Sequence, residues 1–238
     1  MKYLLPLFFL LPVLAFGQGK DSKITCTDER LLQAETLKKS GIVLPVFKHY
    51  CYSDQSGNYV LYLTEKQDVR QDIKQNIKQG EEKLSRAVEA HLLKIEAGKS
   101  LSSIASIRDK ANADEAGMEF WSKLTEIGDI DKDGNIESII VYRFYNKGDD
   151  GLADRSAYSG RIKIVMLYKG SKVVIRAVTG DLDGERETTS TDNFFALPAT
   201  LQKHLVQKMA AMYRDDQYGF DNSYQFKPVS KSIKAKIK

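Results

Sequence analysis

The chain has 238 residues, 36 Lys plus Arg against 32 Asp plus Glu (net charge +4), 42% hydrophobic and 10% aromatic residues. That balance excludes a disordered or collagen-like chain, and the length accommodates one compact core with room for extensions.

The first segment reads as an address. Met1 and Lys2 form a short basic start, Tyr3 to Ala15 is almost unbroken apolar sequence, and Ala15-Phe16-Gly17 places small residues where a signal peptidase cuts. A signal peptide over 1–17 is therefore expected, with Gln18 as the new terminus and no transmembrane segment after cleavage, because the apolar run is short for a membrane span. The predicted location is secreted or periplasmic. At the other end Lys227, Lys231, Lys234, Lys236 and Lys238 crowd the last twelve residues. The basicity thus belongs to a tail over 227–238, and the body, one domain over 18–226, is slightly acidic. Nucleic-acid binding is disfavoured by both the address and the charge of the body.

Cys26 and Cys51 would meet an oxidising compartment, where two thiols pair, so a Cys26–Cys51 disulfide is expected. Zinc is not indicated, since two cysteines and the scattered His49, His91 and His204 lack a ligand spacing.

In chain order, Thr27-Asp28-Glu29 can start a helix carrying Leu31, Leu32, Ala34 and Leu37, with Gly41 as its stop. Residues 42–52 and 58–65, rich in β-branched and aromatic types, flank Ser53-Asp54-Gln55-Ser56-Gly57 and read as a hairpin. Residues 66–83 are polar with a thin stripe of Val69, Ile73 and Ile77, a lid helix or a loop. Residues 84–97 and 101–108 flank Gly98-Lys99 as paired strands, although the Ala, Glu, Leu and Lys of 81–97 also permit a helix. A polar loop over 112–117 leads to strand 120–127, an acidic loop, strand 136–145, and strands 161–168 and 172–179 joined at Lys169-Gly170-Ser171. Leu197, Leu201, Leu205, Met209 and Met212 recur at helical spacing, so 195–213 is an amphipathic helix with Pro198 tolerated in its first turn. The expected fold class is α+β: a mostly antiparallel meander with a short N-terminal helix and a C-terminal amphipathic helix packed on it.

One constellation carries chemistry. Asp129, Asp131, Asp133 and Glu137 stand at positions 1, 3, 5 and 9 of a loop with Gly134 at position 6, and the Asn135 carbonyl at position 7. That spacing lets a tight turn direct hard oxygen ligands at Ca²⁺. An EF-hand is excluded because position 12 is Ile140, and the flanks read as strands. Without a metal the same residues form an Asp-Gly turn whose carboxylates cap backbone N–H groups. Asp181-Leu182-Asp183-Gly184-Glu185 lacks the carboxylate at position 5 and reads as a turn. No nucleophile elbow or phosphate loop is present in the sequence.

The loop resembles the acidic D-x-[DN]-x-D-G-x-x-[DE] loops of FG-GAP and VCBS-type modules, in which such a loop opens a β-strand. A wider resemblance runs through Cys51-Tyr52-Ser53-Asp54, Leu63-Thr64-Glu65, Ile107-Arg108-Asp109, Gly128 to Tyr142, Lys163 to Tyr168 and Val174 to Thr179. Read together, about residues 45 to 215 are similar to a family of secreted Bacteroidetes proteins named for surface polysaccharide biosynthesis. Members often carry a further cysteine after the acidic-loop strand, where this chain has Asn146-Lys147-Gly148-Asp149. The resemblance implies an envelope setting and carries over no catalytic residue. The expected function is a non-enzymatic, envelope-associated binding module with a calcium loop and a protein or glycan partner. The alternatives are an enzyme or accessory protein of surface polysaccharide biosynthesis and a metal-free structural protein of the envelope.

Overall fold

The computed structural model describes residues 26–67, 84–98 and 100–218. The expected leader over 1–17, the basic tail and the lid or loop beyond residue 67 lie outside the described residues.

The sheet is one antiparallel system. Strands β1 (Val46–Asp54), β2 (Gly57–Gln67), β3 (Ser85–Ile95), β4 (Leu101–Lys110), β5 (Glu115–Phe120), β6 (Glu126–Gly128), β7 (Glu137–Asn146), β8 (Arg161–Tyr168), β9 (Ser171–Val178) and β10 (Glu187–Ser190) are joined in the order β1-β2-β3-β5-β7-β8-β9-β10. β4 pairs with β3, and β6 pairs with β7. Lys169 and Gly170 both take positive φ (48° and 75°), the backbone that a two-residue β8–β9 turn needs.

Alternation along the strands builds three apolar layers. Tyr59, Leu61 and Leu63 of β2 face Ile140, Tyr142 and Phe144 of β7 and Val165 and Leu167 of β8 across a central core. The intervening Val60 and Tyr62 point to the opposite face of β2, under Leu31 and Ile42. Ile139, Val141, Ile162, Ile164 and Met166 point outward from the other wing, against the C-terminal helix. β7 is buried on both faces over all but its last residue, which is why its sequence reads as a continuous apolar run.

The helices cover the two outer faces. The N-terminal one departs from the single helix expected: a 3-10 turn, Glu29–Leu32, is separated from helix α1, Ala34–Lys39, by Gln33 in an extended conformation (ψ 135°). Asp28 caps the 3-10 turn through Arg30 N at 3.2 Å, whereas Gln33 gives α1 no side-chain cap. Gly41, at φ 74°, stops α1 as expected. The C-terminal cover also starts later than expected. A 3-10 turn, Asp192–Ala196, and extended Leu197 and Pro198 precede helix α2, Ala199–Arg214, so Pro198 is its N-cap residue and not part of its first turn. α2 buries Leu201, Leu205, Met209 and Met212 at three- and four-residue spacing.

Residues 85–95 are a strand paired with β4 as expected, and the helix that their composition also permitted is overruled by pairing with β2 on one edge and β4 on the other. Two further expectations are corrected. The polar loop expected over 112–117 gives way to β5 from Glu115, because Glu115, Gly117 and Met118 find partners on β7. The strand expected over 120–127 is broken by a 3-10 turn at Ser122–Leu124. Phe120 opposes Tyr142 and Glu126 opposes Ile139, so the chain from 120 to 126 is longer than the stretch of β7 it follows, and the surplus loops out.

Candidate metal-binding loop

The acidic loop leaves β6 at Gly128 and enters β7 at Glu137. Its reversal is made by Lys132 and Gly134, both at positive φ (62° and 84°). Asp129 staples the turn: its two carboxylate oxygens accept from Asp133 N and Gly134 N, each at 3.0 Å. Glu137, only 1% exposed, accepts from Ile130 N at 2.8 Å. Ile136 packs on the central core, as an anchor of the loop should.

The five residues singled out in the sequence divide into two groups. Asp129, Asp131 and Glu137 each bring an oxygen atom within 4.8 Å of the others. Two oxygens at about 2.4 Å from one Ca²⁺ can be at most about 4.8 Å apart, so this trio has the span of a shared ion. Asp133 and the side chain of Asn135 turn elsewhere. Asp133 accepts from Asn135 N at 2.9 Å and pairs with Lys169 Nζ at 2.7 Å, and the Asn135 side-chain oxygen accepts from Ser56 Oγ at 2.7 Å. The side-chain ligand set is therefore smaller than the sequence spacing implied.

The tip of the β1–β2 hairpin buttresses the loop, and sequence reasoning missed it. Gln55 Nε2 donates to Asp133 O at 2.9 Å, Gln55 N donates to Gly134 O at 3.2 Å, and Ile136 N donates to Asp54 Oδ2 at 3.2 Å. Asp54 also holds its own turn, accepting from Ser56 N and Gly57 N. The turn composition of 53–57 was visible in the sequence, but its partner lies about eighty residues away and leaves no local signal.

Electrostatically the trio is under-compensated. Burial raises the Glu137 carboxyl to about 7, opposed by the Ile130 hydrogen bond and assisted by the charges of Asp131, Asp133 and Asp129. One oxygen of Asp131, Oδ1, is sealed from solvent and accepts no hydrogen bond. A buried acceptor without a donor costs about 1 to 3 kcal/mol, a cost that a cation at that point would remove. The weaker echo, 181–185, is a turn, with Glu185 Oε2 accepting from Leu182 N at 3.2 Å.

The expected Cys26–Cys51 disulfide is present, with a Cα separation of 5.3 Å. No helix among the described residues is long and apolar enough to cross a membrane. Comparison of the chain with models of protein families, with curated proteins and with solved structures finds no match.

Proposed function

We propose that the protein is a secreted or periplasmic, non-enzymatic binding module of the cell envelope whose acidic loop holds Ca²⁺. The observation that carries this reading is the convergence of Asp129, Asp131 and Glu137, in which Asp131 also has one sealed, donor-less oxygen. The disulfide supports an oxidising compartment, and the motif resemblance to secreted polysaccharide-biosynthesis proteins agrees with an envelope setting. Calcium here is a structural ion: it would tie the β6–β7 loop to the hairpin tip that already leans on it, and so fix one rim of the sheet for a protein or glycan partner.

The test is a thermal melt of residues 18–238 in EDTA and then in millimolar Ca²⁺, for the wild type and for Asp131→Asn. An ion at a hundredfold excess over its Kd stabilises the native state by about 3 kcal/mol, equivalent to a rise of roughly 5 to 10 °C for a domain of this size. The wild type should show that rise and the variant should not. Equal indifference of both proteins to Ca²⁺ would leave the loop as a carboxylate-capped turn, and the metal-free structural reading would replace this one.

A further inference from the structure

The inner face of β8 and β9 carries a row of charges that folding alone does not explain. Lys163 and Arg176 are direct cross-strand partners, flanked in the same row by Tyr142 on β7 and Thr189 on β10. Like charges placed opposite each other on one face of a sheet destabilise it. Arg161 lies two residues along the same face, against the Phe144 ring with its guanidinium carbon 3.5 Å from the centroid.

Two carboxylates answer two of these three cations. Glu115 takes Arg161 in a fork of 2.6 and 3.1 Å. Asp109, reaching over from β4, accepts from Lys163 Nζ and, at 3.0 Å, from the Tyr142 hydroxyl. Arg176 has neither a hydrogen bond nor an ion pair among the described residues, although Glu187 stands diagonally across from it on β10. Burial depresses the Lys163 ammonium against the pull of Asp109, and Arg161 and Arg176 depress it further. The row is thus a half-buried surplus of positive charge whose outermost member offers a free planar fork. It stands beside the point where β4 is pinned over the sheet by Lys163–Asp109 and by Lys172 Nζ donating to Ser106 O at 2.9 Å.

We propose that Arg176, with Lys163 beside it, is the anchoring subsite for an oxyanionic group of a ligand, a carboxylate, sulfate or phosphate, on the inner face of β8 and β9. A guanidinium fork matches the two oxygens of such a group, and the second cation adds charge where solvent screening is reduced. An anion seated there removes the repulsion between Lys163 and Arg176. The subsite uses no residue of the acidic loop and is independent of calcium.

The test is calorimetric titration of the full secreted chain, in EDTA and at constant ionic strength set with chloride, with inorganic sulfate, inorganic phosphate and glucuronate as probes. Wild type is compared with Arg176→Gln, Arg176→Lys and the outward-facing control Arg108→Gln. At least one probe should bind wild type saturably at one site, and the tightest of the three identifies the source of the oxyanion. Arg176→Gln should weaken that binding about tenfold, as loss of a charge-assisted fork does. Arg176→Lys should fall between, and Arg108→Gln should match wild type. The proposal is overturned if no probe saturates, or if Arg108→Gln weakens binding as much as Arg176→Gln does.

Discussion

The two outer faces of the sheet are covered by opposite means. On the C-terminal side α2 supplies sixteen helical residues and buries Leu201, Leu205, Met209 and Met212 against β7, β8 and β9. Its polar edge is clamped as well: Lys208, 8% exposed, donates to Leu124 O at 2.7 Å and to Glu126, and His204 Nε2 meets Glu126 Oε2 at 2.5 Å. On the N-terminal side α1 has six residues and buries none of them. The buried apolar contact there comes from Leu31 and Ile42 outside the helix, with Leu37 of α1 packed part-buried against them and Tyr62 OH donating to Leu31 O at 2.7 Å. What the small cover lacks in buried area is supplied by a covalent tie, Cys26–Cys51, into β1. A cover that cannot bury a full side chain per turn needs a staple, and one that can does not.

The largest effect should come from cutting into the apolar cover. Leu205 is 1% exposed in the α2 layer, and Leu205→Ala should cost about 3 kcal/mol from lost burial and the cavity left behind. Trp121, the chain's one tryptophan, packs on the same cluster, so its fluorescence should shift in step with the loss of the urea midpoint. An unchanged midpoint would mean that α2 is not what closes this face.

Next is the staple. The bond closes a loop with a sequence separation of 25, for which the chain-entropy estimate gives about 3 kcal/mol, within the roughly 2 to 5 kcal/mol that loss of a native disulfide costs a small domain. A Cys26→Ser, Cys51→Ser double variant should therefore melt earlier, with amide exchange accelerating first around residues 28–42. Native Trp121 emission should be kept until the global transition, because the tryptophan sits on the opposite cover. Simultaneous loss of both signals would show that the two covers unfold as one unit.

The polar clamp of α2 gives its cover a pH dependence centred on Glu126. Burial tends to raise Glu126, but the His204 hydrogen bond and the Lys208 charge outweigh it and hold the carboxyl at about 2, below its usual 4.5. A depressed folded value means that the clamp contributes in full above about 4.5 and is lost as pH falls towards about 2. Wild type should thus melt above Glu126→Gln at pH 6, with the gap closing steadily as the pH is lowered through that window. The gap should be modest, because the Glu126 side chain is 38% exposed and water screens the pair.

What was legible in the sequence tracks what is decided locally. The Ser-Ile-Ile-Val-Tyr run of β7, the Lys169-Gly170 turn and the α2 spacing all announced their structure. β10, Glu187-Thr-Thr-Ser, was missed because it has no apolar alternation and exists only by pairing with β9. β3 was ambiguous because its residues favour a helix while its neighbours impose a strand. In the loop, the acid spacing located the trio Asp129, Asp131 and Glu137. That Asp133 and the Asn135 side chain are engaged by Lys169 and Ser56 depends on contacts 36 and 79 residues distant, beyond the reach of any local pattern.

The smallest expected effect sharpens the comparison of the covers. Within α1 the Lys39–Glu35 ion pair, 2.7 Å long at i,i+4 spacing, lies with both side chains more than three-quarters or nearly so in water. Such a pair gains little Coulomb energy at high dielectric and orders two long side chains to do so. Glu35→Gln should therefore leave the melting midpoint within error of wild type, at low and at high salt alike. If the midpoint instead fell as far as it does on removing the disulfide, the helix rather than the bond would be holding the N-terminal cover in place. The division of labour between staple and buried area would then have to be abandoned for that face.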